Sequence, residues 1–391
     1  MTIGSWHILT GVYPPQTGGV SDYVSQLEGA LRKSGRDVHI WCPVPDRYEG
    51  ELEAPFVHRL AKGFSPEGLL SLGRRLDRYA SPRRLLVQYV PHAFGLMAMN
   101  LPFCGWLLSR RADRVWPMFH EVAFPYVRGQ SWRRHLLATV THAMAAVVAG
   151  GADQIFVSIP AWETILRRMY RSLPSVSWLP IPSNVLGSVD EALRERVRVQ
   201  SLVGGVSSLC GHFGTYGTEQ AELLQRTIVP LLEGVRTVGV LLVGRGSARF
   251  ANELVLKYPE LETRVKAAGE VARGDVPSYL SACDLLVQPY VDGISSRRTT
   301  AMAGLALGIA VLSNRGALTD PIWVERASIA LASKPDGDEL AACAASLLNN
   351  QAGLKEIAIA GRVLYEREFS IERTIERLVA ADALSESRHS S

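Results

Sequence analysis

Short apolar runs of strand length alternate with segments of helical spacing along most of the chain, and this alternation is what most constrains its fold. Strands that alternate with helices form parallel sheets through right-handed crossovers. The sequence therefore predicts an α/β protein with parallel sheets. The strands predicted in the first half are Ile8–Gly11, Val38–Trp41, Leu85–Val90, Val115–Phe119 and Ile155–Val157. Those predicted in the second half are Ser208–Phe213, Val238–Val243, Val265–Ala268, Leu285–Gln288 and Ala310–Ser313.

The two series of strands are separated by the segment WLPIPSNV, residues 178–185. Its two prolines cannot continue a helix. A chain of 391 residues is also longer than one ordinary core requires. We therefore predict two doubly wound domains, over residues 1–185 and 186–369, followed by a C-terminal segment at 370–391.

Composition excludes several classes of protein. The chain is 47% hydrophobic and 20% charged, which excludes a disordered, collagen-like or coiled-coil chain. Five scattered cysteines without a CxxC pair argue against a disulfide framework and a zinc site. A net charge of +4 is too small to indicate nucleic-acid binding. The first residues show no secretory signal, so a cytoplasmic location is expected.

Residues 85–108 carry no charged side chain and are long enough to cross a bilayer. Pro91 and Pro102 interrupt the stretch, so a buried strand, a loop and a buried helix explain it better. Residues 1–185 hold 20 Lys and Arg against 13 Asp and Glu, a balance of +7. Their paired arginines fit solvated helix faces or, alternatively, a basic face for an anionic membrane surface.

A Pro/Gly loop, YPPQTGGVS, lies between the first predicted strand and the first helix. In open α/β sheets this position borders the ligand crevice. Gly18 and Gly19 would let backbone N–H groups approach a ligand, and a helix N-terminus favours anions. The alternative is an ordinary turn in which Ser21 caps the helix.

The fourth predicted strand of the first half ends in His120 and Glu121. This places an imidazole at the edge of the sheet, where clefts form. A single histidine is more often structural, but its place at a strand end makes His120 a candidate site residue.

In the second half, the predicted strand Ser208–Phe213 is followed by a glycine-rich loop, and the segment GHFGTYG, residues 211–217, covers the end of the strand and the loop. Gly214, Thr215 and Gly217 offer small surroundings for a phosphate, and a purely structural turn is the alternative.

The most informative segment runs from Asp284 to Gly308, as a strand, an acidic-glycine loop and an alanine-rich helix. Ser295 and Ser296 are placed to cap that helix, and Arg297 and Arg298 fall in its first turn. Cations there oppose the helix dipole, whereas a bound phosphate would reverse the effect. The alternative is that both arginines point to solvent.

Together these motifs resemble retaining glycosyltransferases of the GT-B fold, in particular family 4, the glycosyl transferases of group 1. The resemblance covers about residues 5–380. It implies two Rossmann-like domains that face each other across a cleft, with the segment 370–391 as a helix that returns toward the first domain.

Two departures from the family pattern concern the donor side of the site. The family usually has two glutamates there, separated by seven residues, where this sequence has Asp292 and Thr300. It also usually has an Arg and a Lys near the first strand of the second domain, and the GHFGTYG loop has neither. Arg297 and Arg298 are therefore our candidates for neutralising a diphosphate, and Thr300 puts the strength of the activity in question.

The resemblance implies transfer of a hexosyl group from a nucleotide-diphosphate sugar, with retention of configuration and no obligatory metal. The acceptor would be a saccharide, a lipid-linked molecule or a small molecule, with peripheral membrane contact as one option and no nucleic-acid partner. A non-catalytic sugar-nucleotide binder and an epimerase or hydrolase remain as alternatives. The implied catalytic residues are His120, Asp292, Arg297 and Arg298. The implied donor-binding residues are Gly19, Gly214, Thr215, Tyr216, Gly217, Gly293, Ile294, Ser295, Ser296 and Thr300. The implied acceptor-side residues are Gln88, Tyr89, His92 and Glu121.

Asp336 and Asp338 fit an Asp-x-Asp pattern that chelates metal–diphosphate in other transferase folds. They directly precede a predicted helix at 339–348, so helix capping is the better explanation.

Overall fold

The structure is a computed structural model that describes residues 4–45, 54–170, 172–185 and 187–389, with side chains as far as residue 384. It divides into two compact units. The first unit comprises residues 1–181 and 371–391, and the second comprises residues 182–370. The predicted boundaries, 185/186 and 369/370, differ from these by four residues and one residue.

The first unit contains a parallel sheet of seven strands in the order β3-β2-β1-β4-β5-β6-β7. Its strands are β1 (Trp6–Leu9), β2 (Val38–Pro43), β3 (Val57–Leu60), β4 (Arg84–Tyr89), β5 (Arg114–Phe119), β6 (Ile155–Val157) and β7 (Val176–Trp178). Its helices are α1 (Gly19–Lys33), α2 (Pro66–Leu76), α3 (Leu101–Ser109), α4 (Trp132–Gly150) and α5 (Pro160–Met169), and the C-terminal α14 (Ile371–His389) joins them. A short 3₁₀ helix lies at Leu96–Ala98.

Both faces of this sheet are covered, as expected for parallel strands. Neighbouring residues of β4 show this directly. Leu85 and Val87 pack into a core with α2, α3 and α4, whereas Leu86 packs into a second core with α1 and α14. The alternation follows from the two-residue period of a strand, which sends successive side chains to opposite faces.

The second unit contains a parallel sheet of six strands in the order β10-β9-β8-β11-β12-β13. Its strands are β8 (Ser208–Phe213), β9 (Val238–Val243), β10 (Val265–Gly269), β11 (Leu285–Val287), β12 (Ala310–Asn314) and β13 (Ala330–Ala332). Its helices are α6 (Glu191–Ser201), α7 (Thr218–Gly234), α8 (Ser247–Lys257), α9 (Val276–Ser281), α10 (Thr299–Leu307), α11 (Pro321–Glu325), α12 (Gly337–Leu348) and α13 (Gln351–Leu364). A 3₁₀ helix at Pro259–Arg264 and a π turn at Tyr365–Phe369 complete it.

Counted within the second unit, the strand order is 3-2-1-4-5-6, the order of a doubly wound dinucleotide-binding fold. The predicted α/β class with two doubly wound units is confirmed. All ten predicted strands exist, and no end is shifted by more than two residues. Strands β3, β7 and β13, which all lie at sheet edges, were not predicted from the sequence.

The paired arginines of the first unit are not all solvated, contrary to both interpretations of the sequence. Arg83 is buried in an ion pair with Asp113, and Arg84 on β4 is buried in an ion pair with Asp382 on α14. A buried charge is tolerated when it is paired. The Arg84 pair fastens the C-terminal helix to the first sheet, so part of the positive charge of this unit is structural.

The charge-free stretch 85–108 forms β4, a loop and α3, as predicted. Among the residues that the structure describes, no helix is both long and apolar enough to span a bilayer. The five cysteines are free.

Candidate functional site

A cavity lies in the second unit, where β8 and β11 run side by side. The chain leaves β8 toward β9 on one side and leaves β11 toward β12 on the other. In doubly wound sheets, ligands bind at such a switch point, outside the carboxyl ends of the strands. His212 ties the two strands together there, because its Nδ1 donates a hydrogen bond to the carbonyl oxygen of Val287 over 2.9 Å.

The cavity, called here the switch-point cavity, has a volume of about 310 Å³. This is at the lower end of the range for small-molecule sites. It brings together the glycine-rich loop after β8 and the residues that open α10, which are 80 residues apart in the sequence. The lining residues are His212, Phe213, Gly214, Thr215, Tyr216, Gly217, Gln220, Gln288, Tyr290, Arg297, Arg298, Thr299 and Thr300.

The glycine-rich loop is held to the sheet beneath it. The N–H of Gly214 donates to the carbonyl oxygen of Val243 over 3.1 Å, so this group serves the fold. Tyr216 adopts a positive φ of 56°, and its buried hydroxyl donates to the carbonyl oxygen of His212 over 3.2 Å. Gly217 takes the N-cap position of α7. The loop thus ends at a helix N-terminus that borders the cavity.

The arginine pair lines another part of the cavity wall and is held by one carboxylate. Arg297 Nη2 donates to Asp292 Oδ2 over 2.9 Å, and Arg298 Nη2 donates to Asp292 Oδ1. The guanidinium of Arg298 also lies over the ring of Tyr290, 4.5 Å from its centroid. Two guanidinium groups and one carboxylate leave a formal charge of +1 on this wall.

The expected capping by Ser295 and Ser296 is wrong, because α10 begins only at Thr299 and Arg298 occupies its N-cap position. The arginines therefore precede the helix and do not lie in its first turn. At that position their side chains reach the cavity beside the helix N-terminus.

The residues between Asp292 and Arg297 lie behind the cavity and fasten its wall. Gly293 has φ of 84°, and a Cβ there would lie 2.3 Å from the backbone nitrogen of Gly316, so only glycine fits. Ile294 donates its N–H to the carbonyl oxygen of Asn314 over 3.0 Å. Ser295 and Ser296 are fully buried. None of these four predicted donor-binding residues is among those that line the cavity.

Asp320 also holds the segment 293–296 in place, because its carboxylate accepts a hydrogen bond from the N–H of Ser296. Burial raises the pKa of Asp320 to about 6. The wall that carries the arginines thus depends on residues that follow β12.

Thr300, the second residue of α10, lines the cavity. Its Oγ1 lies 2.8 Å from the hydroxyl oxygen of Tyr290. One of the two hydroxyls donates to the other. The pair is a neutral hydrogen-bonding group at the cavity wall, whereas a glutamate there would add a negative charge.

In the first unit, the predicted histidine lies where β5 ends. Nε2 of His120 donates to Oε1 of Gln88 over 2.8 Å, and its ring meets the ring of Tyr23 at 5.3 Å between centroids. Burial lowers the pKa of His120 to about 3. The imidazole is therefore neutral at pH 7, and Nδ1 carries the lone pair.

The other candidates of the first unit follow neighbouring strands. His92 is exposed after β4, and Glu121 is half-buried after β5. Tyr89 is fully buried and packs against Phe119 in the core, so its side chain is not at a surface that could meet an acceptor.

Gly19 is the first residue of α1, and a Cβ there would meet no atom within 4 Å. Gly18 takes the N-cap position. Ser21 lies inside the helix and donates its hydroxyl to the carbonyl oxygen of Gln16, so the capping role considered for Ser21 is wrong.

Helix capping by Asp336 is confirmed, since its carboxylate accepts a hydrogen bond from the N–H of Glu339 over 3.1 Å. Over the described part of the chain, no group of three or more His, Cys, Asp and Glu side chains is arranged to hold a metal ion.

Several residues that line the switch-point cavity were not predicted from the sequence to be site residues. His212, Gln288 and Tyr290 stand inside the quoted motifs but received no role. The available signal was a polar residue at the end of an apolar strand, which is unusual inside a protein. The residues missed are His212, Phe213, Gln220, Gln288, Tyr290 and Thr299.

Residues 207–350 match the family model described as glycosyl transferases group 1. This segment contains every residue that lines the switch-point cavity. None of the curated proteins matches the sequence significantly.

Solved structures resemble the whole chain. Sucrose-phosphate synthase from Thermosynechococcus elongatus is 18% identical, with a TM-score of 0.74 over 99% of this chain and 100% of that one. The Anabaena protein HepE in complex with UDP and glucose is 15% identical, with a TM-score of 0.64 over 97% and 99%. The trehalose 6-phosphate synthase of Burkholderia multivorans is 12% identical, with a TM-score of 0.67 over 100% and 99%. At these identities the likeness shows the fold, which is the GT-B fold predicted from the sequence motifs.

Proposed function

We propose that this protein, whose residues 207–350 are those of a group 1 glycosyltransferase, transfers a glycosyl group from a nucleotide-diphosphate sugar bound in the switch-point cavity. One observation carries the proposal. A glycine-rich loop, a helix N-terminus and two arginines meet around one cavity at the switch point of a doubly wound sheet. All three are features that bind phosphate oxygens.

The diphosphate would lie between the glycine-rich loop and the arginine pair. Cleavage of a glycosyl–phosphate bond builds negative charge on the leaving diphosphate. Guanidinium groups already held in place by Asp292 stabilise that charge without first having to reorganise. Arginine also suits this role because its planar fork can contact two phosphate oxygens at once.

Retention of configuration is part of the proposal. Among the described residues that line the cavity there is no Asp, Glu or Cys, and Asp292 is already engaged by two arginines. This supports a reaction without a covalent glycosyl–enzyme intermediate. The acceptor hydroxyl oxygen would bond to the anomeric carbon as the bond from that carbon to the phosphate oxygen breaks. The hydroxyl proton would pass to the departing diphosphate, and the products would be a glycoside and a nucleoside diphosphate.

For the acceptor we propose the carboxyl ends of β1, β4 and β5 in the first unit. These three strands are neighbours, and the segments that follow them carry Gly19, at the start of α1, His92 and His120. The neutral imidazole of His120 offers a lone pair at Nδ1 that can accept a hydrogen bond from a sugar hydroxyl. A saccharide, a lipid-linked molecule or a small molecule would each supply such a hydroxyl.

The arginine pair supplies positive charge at the place where a metal ion could otherwise act. We therefore propose activity without an obligatory metal. As a separate part of the proposal, the enzyme is cytoplasmic, with peripheral membrane contact only if the acceptor is lipid-linked. Full turnover in the presence of a chelator such as EDTA would support the metal-independent reaction.

A non-catalytic sugar-nucleotide binder is the second candidate. It is favoured by Thr300, which offers a neutral hydroxyl where the family pattern has a carboxylate, and by the absence of Arg and Lys from residues 211–217.

The decisive experiment measures nucleoside diphosphate release from a panel of nucleotide sugars, with and without candidate acceptors. UDP-glucose is the first donor to test, because HepE was solved in complex with UDP-glucose. Release that requires an acceptor supports a transferase, and release without one indicates a hydrolase or epimerase. If the protein binds nucleotide sugars but releases no nucleoside diphosphate under any condition, the non-catalytic binder is supported.

A further inference from the structure

Two buried polar residues, His212 and Gln288, are among those that line the switch-point cavity, and together they are called here its floor. His212 is 2% exposed and Gln288 is 0% exposed. Nε2 of His212 and both polar atoms of the Gln288 amide have no hydrogen-bond partner among the residues that the structure describes. A buried polar group without a partner destabilises the folded state, so two such side chains among the residues that line one cavity point to a ligand.

The chemistry of His212 defines what it can bind. Its Nδ1 donates to the carbonyl oxygen of Val287, so in the neutral imidazole Nε2 carries a lone pair. Burial lowers the pKa of His212 to about 4, and the ring is therefore neutral at pH 7. Nε2 faces the glycine-rich loop, since a Cβ on Gly214 would lie only 3.1 Å from it. It can accept a hydrogen bond but cannot donate one to a phosphate.

Gln288 is fixed at its backbone and unpartnered at its side chain. Its N–H donates to the carbonyl oxygen of Leu312 over 2.8 Å, and its carbonyl oxygen accepts from the hydroxyl of Ser313 over 2.6 Å. Its amide offers one acceptor and two donor hydrogens. Such a group matches a hydroxyl, which donates and accepts at once.

We propose that His212 and Gln288 form a hydroxyl-recognition subsite that reads a polyol portion of the donor beneath the arginine pair. The inference rests on the proposed function, and it deepens that function by separating two tasks within one cavity. Arg297 and Arg298 contact the charged phosphates, whereas the neutral floor contacts hydroxyls of the ribose or of the transferred sugar. A diphosphate at neutral pH has no proton to give to Nε2 of His212, but a hydroxyl does.

The test compares the wild type with His212→Phe and Gln288→Leu by isothermal titration calorimetry at pH 7.5. The probes are whichever of UDP, GDP and ADP binds best, its 2′-deoxy and 3′-deoxy forms, and the matching nucleotide glucose. Gln225→Leu on α7, outside this cavity, is the matched control for a glutamine-to-leucine change.

If the ribose is read, a deoxy form binds the wild type about tenfold more weakly than the parent diphosphate. Each floor variant then binds the parent about tenfold more weakly, and loss of that hydroxyl has no further effect on it. If the transferred sugar is read, the deoxy forms bind as the parent does. The floor variants then lose only the affinity that the sugar adds to the diphosphate.

The unfolding temperature of the ligand-free protein gives a second readout. A merely structural role of Gln288 would shift this temperature in the opposite direction. Gln288→Leu replaces an unpartnered buried amide with an apolar side chain of similar size, so its unfolding temperature should rise while ligand affinity falls. Gln225→Leu should leave ligand affinity unchanged.

The inference is overturned if the floor variants bind every probe as the wild type does. It is also overturned if they lose affinity equally for probes with and without the hydroxyl, or if Gln288→Leu lowers the unfolding temperature and leaves affinity unchanged. If Arg298→Ala weakens binding of the diphosphate but His212→Phe and Gln288→Leu do not change the affinity for any probe, this inference alone fails. If no nucleoside diphosphate or nucleotide glucose binds the wild type, the proposed function fails and the subsite fails with it.

Discussion

Replacing Arg298 with alanine tests the diphosphate site most directly. Arg298 donates to Asp292 and lies 4.5 Å from the centroid of the Tyr290 ring, and its side chain is 28% exposed at the cavity wall. Asp292 keeps a partner in the variant, because Arg297 Nη2 lies 2.9 Å from its Oδ2. The substitution therefore removes one cation from the cavity without leaving the carboxylate unpaired.

The size of the effect follows from the kind of contact that is lost. A hydrogen bond from a charged donor contributes about 1.5–3 kcal/mol. The dissociation constant of a nucleoside diphosphate should therefore rise roughly 10- to 150-fold in Arg298→Ala. The loss of the contact with Tyr290 should lower stability by only about 0.5–1 kcal/mol.

Isothermal titration calorimetry with a nucleoside diphosphate and the uncharged nucleoside separates the phosphate contribution from the rest. Affinity for the diphosphate should fall, whereas affinity for the nucleoside should not. Arg249→Ala on α8 is the matched control, because Arg249 is exposed, pairs only weakly with Glu253 at 3.7 Å and does not line the cavity. Equal affinities of Arg298→Ala and Arg249→Ala for the diphosphate would refute the phosphate role of Arg298.

Three further predictions concern the first unit and the response to acid. His120→Ala should reduce transfer by a factor of ten or more, on the order of one lost hydrogen bond, while leaving nucleotide binding intact, and unchanged turnover would remove His120 from the site. Asp382→Ala leaves Arg84 buried without its carboxylate and should cost about 3–5 kcal/mol in urea unfolding, whereas the double change Arg84→Met with Asp382→Leu should cost clearly less; equal losses would contradict the pairing argument. Stability should also fall as the pH drops from about 6 to 4, by about 4 kcal/mol per pH unit at most, because the unfolded chain takes up protons on four histidines whose pKa values are lowered in the folded chain. Asp320, whose pKa is raised to about 6, offsets one of the four. Urea unfolding that is independent of pH in this window would contradict it. The four histidines are His7, His58, His120 and His212, with pKa values lowered by burial to about 3, 4, 3 and 4.

The parallel sheets could be predicted from the sequence because central strands are buried on both faces. Val238–Val243 is apolar along its whole length, and its bounds are those predicted. The strands missed, β3, β7 and β13, lie at edges, where one side of the strand has no neighbour and a short or polar run suffices. For β3 the sequence is VHRL, which carries no strong apolar signal.

The site could be predicted only in part. The sequence indicated that Gly214–Gly217 and Arg297–Thr300 serve one ligand, and the structure brings both segments to one cavity. It did not indicate that residues 293–296 fasten the wall from behind. That role depends on Gly316 and Asp320, which follow the next strand and meet the loop only in the folded chain.

What the sequence determined by itself is local: apolar runs of strand length, helical spacing between them, and loops with glycine or arginine at their ends. These fix two doubly wound units, because each apolar run must be buried and parallel strands require crossovers. The tertiary structure alone decided which polar side chains meet. It placed His212 and Gln288 on one cavity floor, paired both arginines with Asp292, and buried Arg84 against Asp382. The physical reason is that a hydrogen bond or an ion pair depends on distance and direction between atoms, which residues far apart in a sequence acquire only when the chain has folded.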